Sequence, residues 1–141
     1  MEWIEPKTDW NCHVDATGAY QGDYFNYTDY NRIKNNLSYL RAIALEMFDF
    51  FEMHELEDKE PGQYFYADEI NQIEENLNTL YRNTYNPEGV PVKEYVDNGR
   101  TFDFNELNRL EELTLKLYGK LMGQYKSRRT LPFMLGVKGG L

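Results

Sequence analysis

Three stretches of this chain are copies of one another. Phe25–Leu40 reads FNYTDYNRIKNNLSYL, Phe65–Leu80 reads FYADEINQIEENLNTL, and Phe102–Leu117 reads FDFNELNRLEELTLKL. Each places an aromatic residue before a polar residue able to cap a helix, then an Asn, then apolar residues at helical spacing. A chain with three such starts is constrained to three helices that share one core. The copies are offset by 40 and then 37 residues, within the range of helical repeat arrays. One helix per copy, rather than a helix pair, favours a bundle over a solenoid.

The pattern predicts helix 1 over 28–54 with Thr28 as N-cap, helix 2 over 67–83 with Asp68, and helix 3 over 105–123 with Asn105. The inward seams are Tyr30, Ile33, Leu37, Leu40, Ala44, Met47 and Phe51, then Ile70, Ile73, Leu77 and Leu80, then Leu107, Leu110, Leu113, Leu117 and Leu121. Asn31, Asn71 and Asn108 fall three residues after the caps. That position argues for local backbone hydrogen bonds and a capping role. Asp97-Asn98-Gly99 between two short β-prone runs predicts a small β-hairpin over 92–104. Residues 1–24 read as an extended arm, and 130–141 as an irregular apolar tail. The expected architecture is a mainly α, single-domain, antiparallel three-helix bundle, because short turns favour antiparallel neighbours.

At 141 residues the chain is the size of one domain. Its charge is divided: residues 1–112 hold all 24 acidic residues against nine basic ones, a formal −15, whereas 113–141 carry six basic residues and no acid. Such a division suits docking of a basic end on an acidic body. The acidic body also argues against nucleic-acid binding through the short Lys126–Arg129 cluster. A single cysteine, Cys12, excludes an intrachain disulfide. No run approaches eighteen apolar residues and the N-terminus lacks a signal-peptide pattern, so neither a membrane span nor export is expected.

Candidate chemistry is sparse. Cys12-His13 with Asp15 has residue types found in nucleophilic sites, but sequence neighbours usually point apart. His54 has no second ligand at metal spacing. The carboxylates at 55–60 lack the pattern of a calcium loop, and no phosphate loop, nucleophile elbow or zinc motif occurs. No catalytic, cofactor-binding or metal-binding residue is expected, and the chain reads as a non-enzyme.

Trp3–Trp10, WIEPKTDW, followed by Asp23–Leu37, DYFNYTDYNRIKNNL, resembles a pattern in tail-associated structural proteins of phages and prophages of Gram-positive bacteria. There a Trp-x-x-Pro-Lys-Thr-x-Trp arm precedes an Asp-x-Asn-Arg-Ile helix start. Leu131–Gly136, LPFMLG, is similar to the terminus of such proteins. The resemblance implies a virion component of the tail or baseplate, made in the host cytoplasm and acting by assembly with other tail proteins or with itself. On that reading the apolar ends, Trp3, Trp10, Phe133 and Leu135, contact partners. The alternative is a Tyr-rich recognition module for a cell-wall saccharide or host protein, which needs exposed rings around 84–101.

Overall fold

The structure, a computed structural model, describes residues 2–63, 66–96 and 103–135. It is mainly helical, with α1 at Tyr27–Ala44, α2 at Ala67–Arg82 and α3 at Phe104–Leu135. The predicted seams form the core: Tyr30, Leu37, Leu40, Ile73, Leu77, Leu80, Leu110, Leu117 and Leu121 are all almost fully enclosed. Leu113 is only partly buried, and the neighbouring Thr114 turns inward with its hydroxyl donating to the Leu110 carbonyl.

The helix starts lie earlier than expected. Asn26 caps α1, accepting from the Thr28 and Asp29 amides, while the Asp29 carboxylate accepts from the Asn26 amide. Tyr66 precedes α2 and is held by Glu69 in the same way, and Asp103 precedes α3 and accepts from the Glu106 amide. Thr28, Asp68 and Asn105 therefore sit inside the first turns rather than capping them. The reason in α1 and α2 is the acid three residues after the true cap: Asp29 and Glu69 accept from the cap amide and complete a capping box better than a neutral Asn. The ends differ too. α1 stops at Ala44, its last turn loosening through Glu46 and Met47 amide bonds to Ile43 and Ala44. Beyond it the Arg41 guanidinium holds the Phe51 carbonyl. α3 continues past Gly123 to Leu135, so the expected irregular tail is helical over 130–135. Residues 136–141 lie outside the described residues.

The helices run parallel, not antiparallel. Arg32 near the start of α1 meets Glu111 near the start of α3 at 2.7 Å, and further along Tyr39 and Tyr118 lie 6.4 Å apart. α2 and α3 advance together in the same way, from Glu74 with Arg109, through the Tyr81 hydroxyl donating to the Leu113 carbonyl, to Tyr85 beside Lys120. A parallel arrangement forces the chain to travel back before each new helix. Eighteen helical residues rise about 27 Å, so a return needs at least about eight extended residues. The long connections supply it. We call residues 2–11, 45–63 and 83–96 straps A, B and C.

Strap A continues into a two-stranded antiparallel ribbon, β1 at Cys12–Val14 and β2 at Tyr20–Gly22, within the stretch expected as an extended arm. Its turn is organised by Asp15, whose carboxyl is held at about 2 by hydrogen bonds from the Thr17 hydroxyl, the Ala19 and Thr17 amides and Gln21. For the hairpin expected over 92–104, the turn and its second run through Phe102 lie outside the described residues. Val92–Val96 has no regular secondary structure, and Tyr95 within it is held to α2 by Asn71.

Burial pushes the Tyr81 phenol up to about 12, and burial with the charges of Glu69 and Asp68 does the same to Tyr30. A phenol whose folded pKa exceeds its unfolded value contributes stability that is complete below about pH 10 and lost as the pH rises toward 12. Urea unfolding is predicted to show stability falling across that window by up to about 1.4 kcal/mol per pH unit per tyrosine. Tyr81→Phe should flatten the slope. An unchanged slope would contradict the burial.

Candidate functional site

Asn31, Asn71 and Asn108 do not make local bonds. Each carboxamide grips both backbone groups of one residue in a distant strap. Asn31 donates to the Lys59 carbonyl at 2.8 Å and accepts from the Lys59 amide at 2.6 Å. Asn71 holds Tyr95 at 3.0 and 2.7 Å, and Asn108 holds Trp10 at 2.9 and 2.7 Å. A primary amide offers one acceptor and a donor side by side, as a peptide group does in a β-ladder, so the helix satisfies a strap without a sheet. The expectation of local capping fails because these side chains emerge beyond the first turn, on the face toward the grooves.

A second tier lies five residues on. Asn36 grips Ile4 at 2.7 and 3.0 Å, and Asn76 grips His54 at 3.0 and 2.8 Å. Strap A is thus held by α1 and α3, and strap B by α2 and α1. Strap C is held by α2 through Tyr95, and the arrangement closes as a ring with internal three-fold character. The third copy breaks the rule. Its second-tier position is Leu113, which has no carboxamide to offer. Instead the Asn78 side chain accepts from the Val90 amide at 2.8 Å.

Charged groups reinforce two of the grooves. Glu111, 1% exposed, accepts from the Lys7 amide, the Trp10 indole and a bidentate Arg32 at 2.7 and 2.8 Å. Glu74, 2% exposed, accepts from the Lys93 amide, the Tyr95 hydroxyl and Arg109. Burial and the Glu74 charge raise the Tyr95 phenol. Burial alone would lower the Arg109 guanidinium, but Glu106 and Glu74 outweigh it and raise it. In the first copy the same position is Lys34, and the sign reverses: it pairs with Asp58 of strap B.

Of the residues expected to contact partners, Trp10 is 4% exposed in the chain's own core, clamped by Asn108 and Glu111. Trp3 is half-buried and stacks on Tyr118 at 3.9 Å, beside Tyr39. An extended arm with two indoles had the right composition to stay with its own bundle once long grooves existed to receive it. Phe133 and Leu135 lie in the last turns of α3, and their side chains lie outside the described part, as do those of Cys12 and His13. His54 pairs with Glu75 on the surface. Among the described residues no group of three or more His, Cys, Asp or Glu is placed to hold a metal ion, and no helix is long and apolar enough to cross a membrane. The arrangement as a whole holds backbone in place; the carboxylates it buries are already paired with guanidinium groups.

Comparison with family models, with characterised proteins and with solved structures found no match to this chain.

Removing Glu111 strands a buried guanidinium, an indole N–H and a backbone amide at once. Glu111→Ala is therefore predicted to destabilise by about 3–5 kcal/mol in urea titrations. Arg32→Ala should cost a comparable amount, and the double variant distinctly less than the sum. Additive losses would show that the two side chains act separately.

Proposed function

We propose that this chain is a non-enzymatic structural protein of a phage or prophage virion, placed in the tail or baseplate and acting by protein–protein contact. One observation carries the reading. The residues of the resemblance are spent on construction: Trp10 fills the core, Asn31 clamps strap B, Arg32 joins α1 to α3, and the Ile4 backbone seats on Asn36. A motif consumed in this way encodes a rigid scaffold, and a scaffold leaves its outer surface to be shaped for neighbours. The divided charge supports heterologous contacts with other tail proteins or further copies. On this reading the protein is made in the bacterial cytoplasm and ends in the virion tail.

The saccharide- or host-binding alternative called for exposed rings around 84–101. Tyr95 is 5% exposed, and Tyr85 packs edge-on against Phe48 with its hydroxyl on Gln124. Both weigh against it.

Mass spectrometry of tails purified from particles of the encoding bacterium tests the proposal. The chain is expected there in fixed stoichiometry with other tail proteins, resisting a salt wash. Its absence from intact particles would overturn the assignment.

A further inference from the structure

We infer that the chain docks head to tail on itself, with the overhang of α3 from one copy lying in the groove between α1 and strap B of the next. The inference rests on the assembly reading above and names its partner as a second copy.

Because the helices are parallel, α1 and α2 end together, at Ala44 and Arg82, while α3 runs on to Leu135. Among the described residues Leu121 is the last on α3 enclosed in the core. Residues 122–135 carry the helix about 21 Å further. In sequence this overhang is basic and then apolar, with Lys126, Arg128 and Arg129 before Leu131, Phe133 and Leu135.

The complementary surface is the segment following α1. Residues 46–60 hold seven acidic residues against Lys59 alone, and Glu52, Glu55 and Glu57 are exposed. This segment forms one wall of an open groove of about 850 Å³ along α1, with Leu45, Met53 and Leu56 in its lining and Phe50, 71% exposed, at its edge. The two cations on the α1 wall are engaged, Lys34 with Asp58 and Arg41 with the Phe51 carbonyl and the Phe50 ring. An acid-rimmed apolar groove matches a helix whose basic residues precede an apolar end.

Docking within one molecule is opposed by direction. The acidic segment begins at the end of the bundle from which α3 leaves, and each further turn of α3 carries its backbone about 5.4 Å away from it. The groove of another copy has no such restriction. Overhang and groove are different surfaces, so the contact is heterologous and propagates into a ring or a filament.

Sedimentation of the full chain tests this with two sets of reversals, Lys126→Glu with Arg128→Glu and Arg129→Glu, and Glu52→Lys with Glu55→Lys and Glu57→Lys. The unaltered chain should self-associate about tenfold or more weaker at 500 than at 50 mM salt. Each variant alone should be monomeric, and their mixture should associate again. As a check independent of variant folding, carbodiimide treatment of mixed heavy- and light-isotope wild-type chains should link Lys126 to Glu52 or Glu55 across labels. A wild-type chain that stays monomeric at about 1 mM in low salt, association that survives both reversals, or links confined to one label would each overturn self-docking. Detection of the chain in purified tails would still stand in that case, so failure of this inference is separable from failure of the assembly reading.

Discussion

A carboxamide that grips the two backbone groups of a passing strand is the interaction on which the rest of this fold depends. Parallel helices oblige the chain to return along the bundle before each new start, and a return segment brings backbone donors and acceptors into half-buried grooves. Left unpaired, each such group would cost about 1–3 kcal/mol. A sheet would pair them with neighbouring strands, but here each strap has helices on both sides. Asn31, Asn71 and Asn108, with Asn36 and Asn76 above them, give the helices the missing ladder. The straps then add their own apolar side chains, Trp10, Phe51 and Tyr95, to the core.

The charged pairs act on top of this frame and depend on it. Glu111 and Glu74 are nearly inaccessible, a position tolerable for a carboxylate only with several donors arranged around it. Those donors come from two places in each case, an arginine on the adjacent helix and backbone or ring groups of the strap. Strap and helix are therefore coupled: a strap that left its groove would uncover a buried charge. Where the first copy has Lys34 instead, its partner is Asp58 on strap B, so the coupling survives with the signs exchanged. The third copy, with Leu113 at the second-tier position, lacks that clamp, and Asn78 on α2 takes the Val90 amide instead.

Helix existence and core seams were legible in the sequence because apolar spacing survives almost any tertiary arrangement. Ile33, Leu37, Leu40, Ile73, Leu77 and Leu80 face inward as their period requires. Direction was not legible, because a seam has no polarity, and the connection at 84–101 was the sole hint that the chain travels back. The end of α1 was obscured by Met47, Phe48 and Phe51, which keep helical spacing while belonging to a strap that packs against the same core. The clamp itself left a trace. An Asn recurring at one place in three helices, with an acid two residues earlier already suited to the cap, is poorly placed for local bonding and should seek a distant partner. Which partner it finds depends on the return path of the chain. The buried place of Trp10 was not legible for the same reason: its groove exists only once α1 and α3 lie side by side.

This economy bears on function. The recurrent motif residues build the scaffold, and the self-docking proposed above uses other surfaces, the acidic segment after α1 and the basic overhang of α3. All three straps are fastened by asparagine clamps, and native-state hydrogen exchange at the amides of Trp10, Lys59 and Tyr95 tests this most directly. Each of these N–H groups points at an asparagine oxygen. All three are predicted to exchange as slowly as core helix amides, and replacing Asn108, Asn31 or Asn71 by Ala in turn should release its own partner first. Exchange at the rate of exposed loops in the unaltered chain would contradict the account.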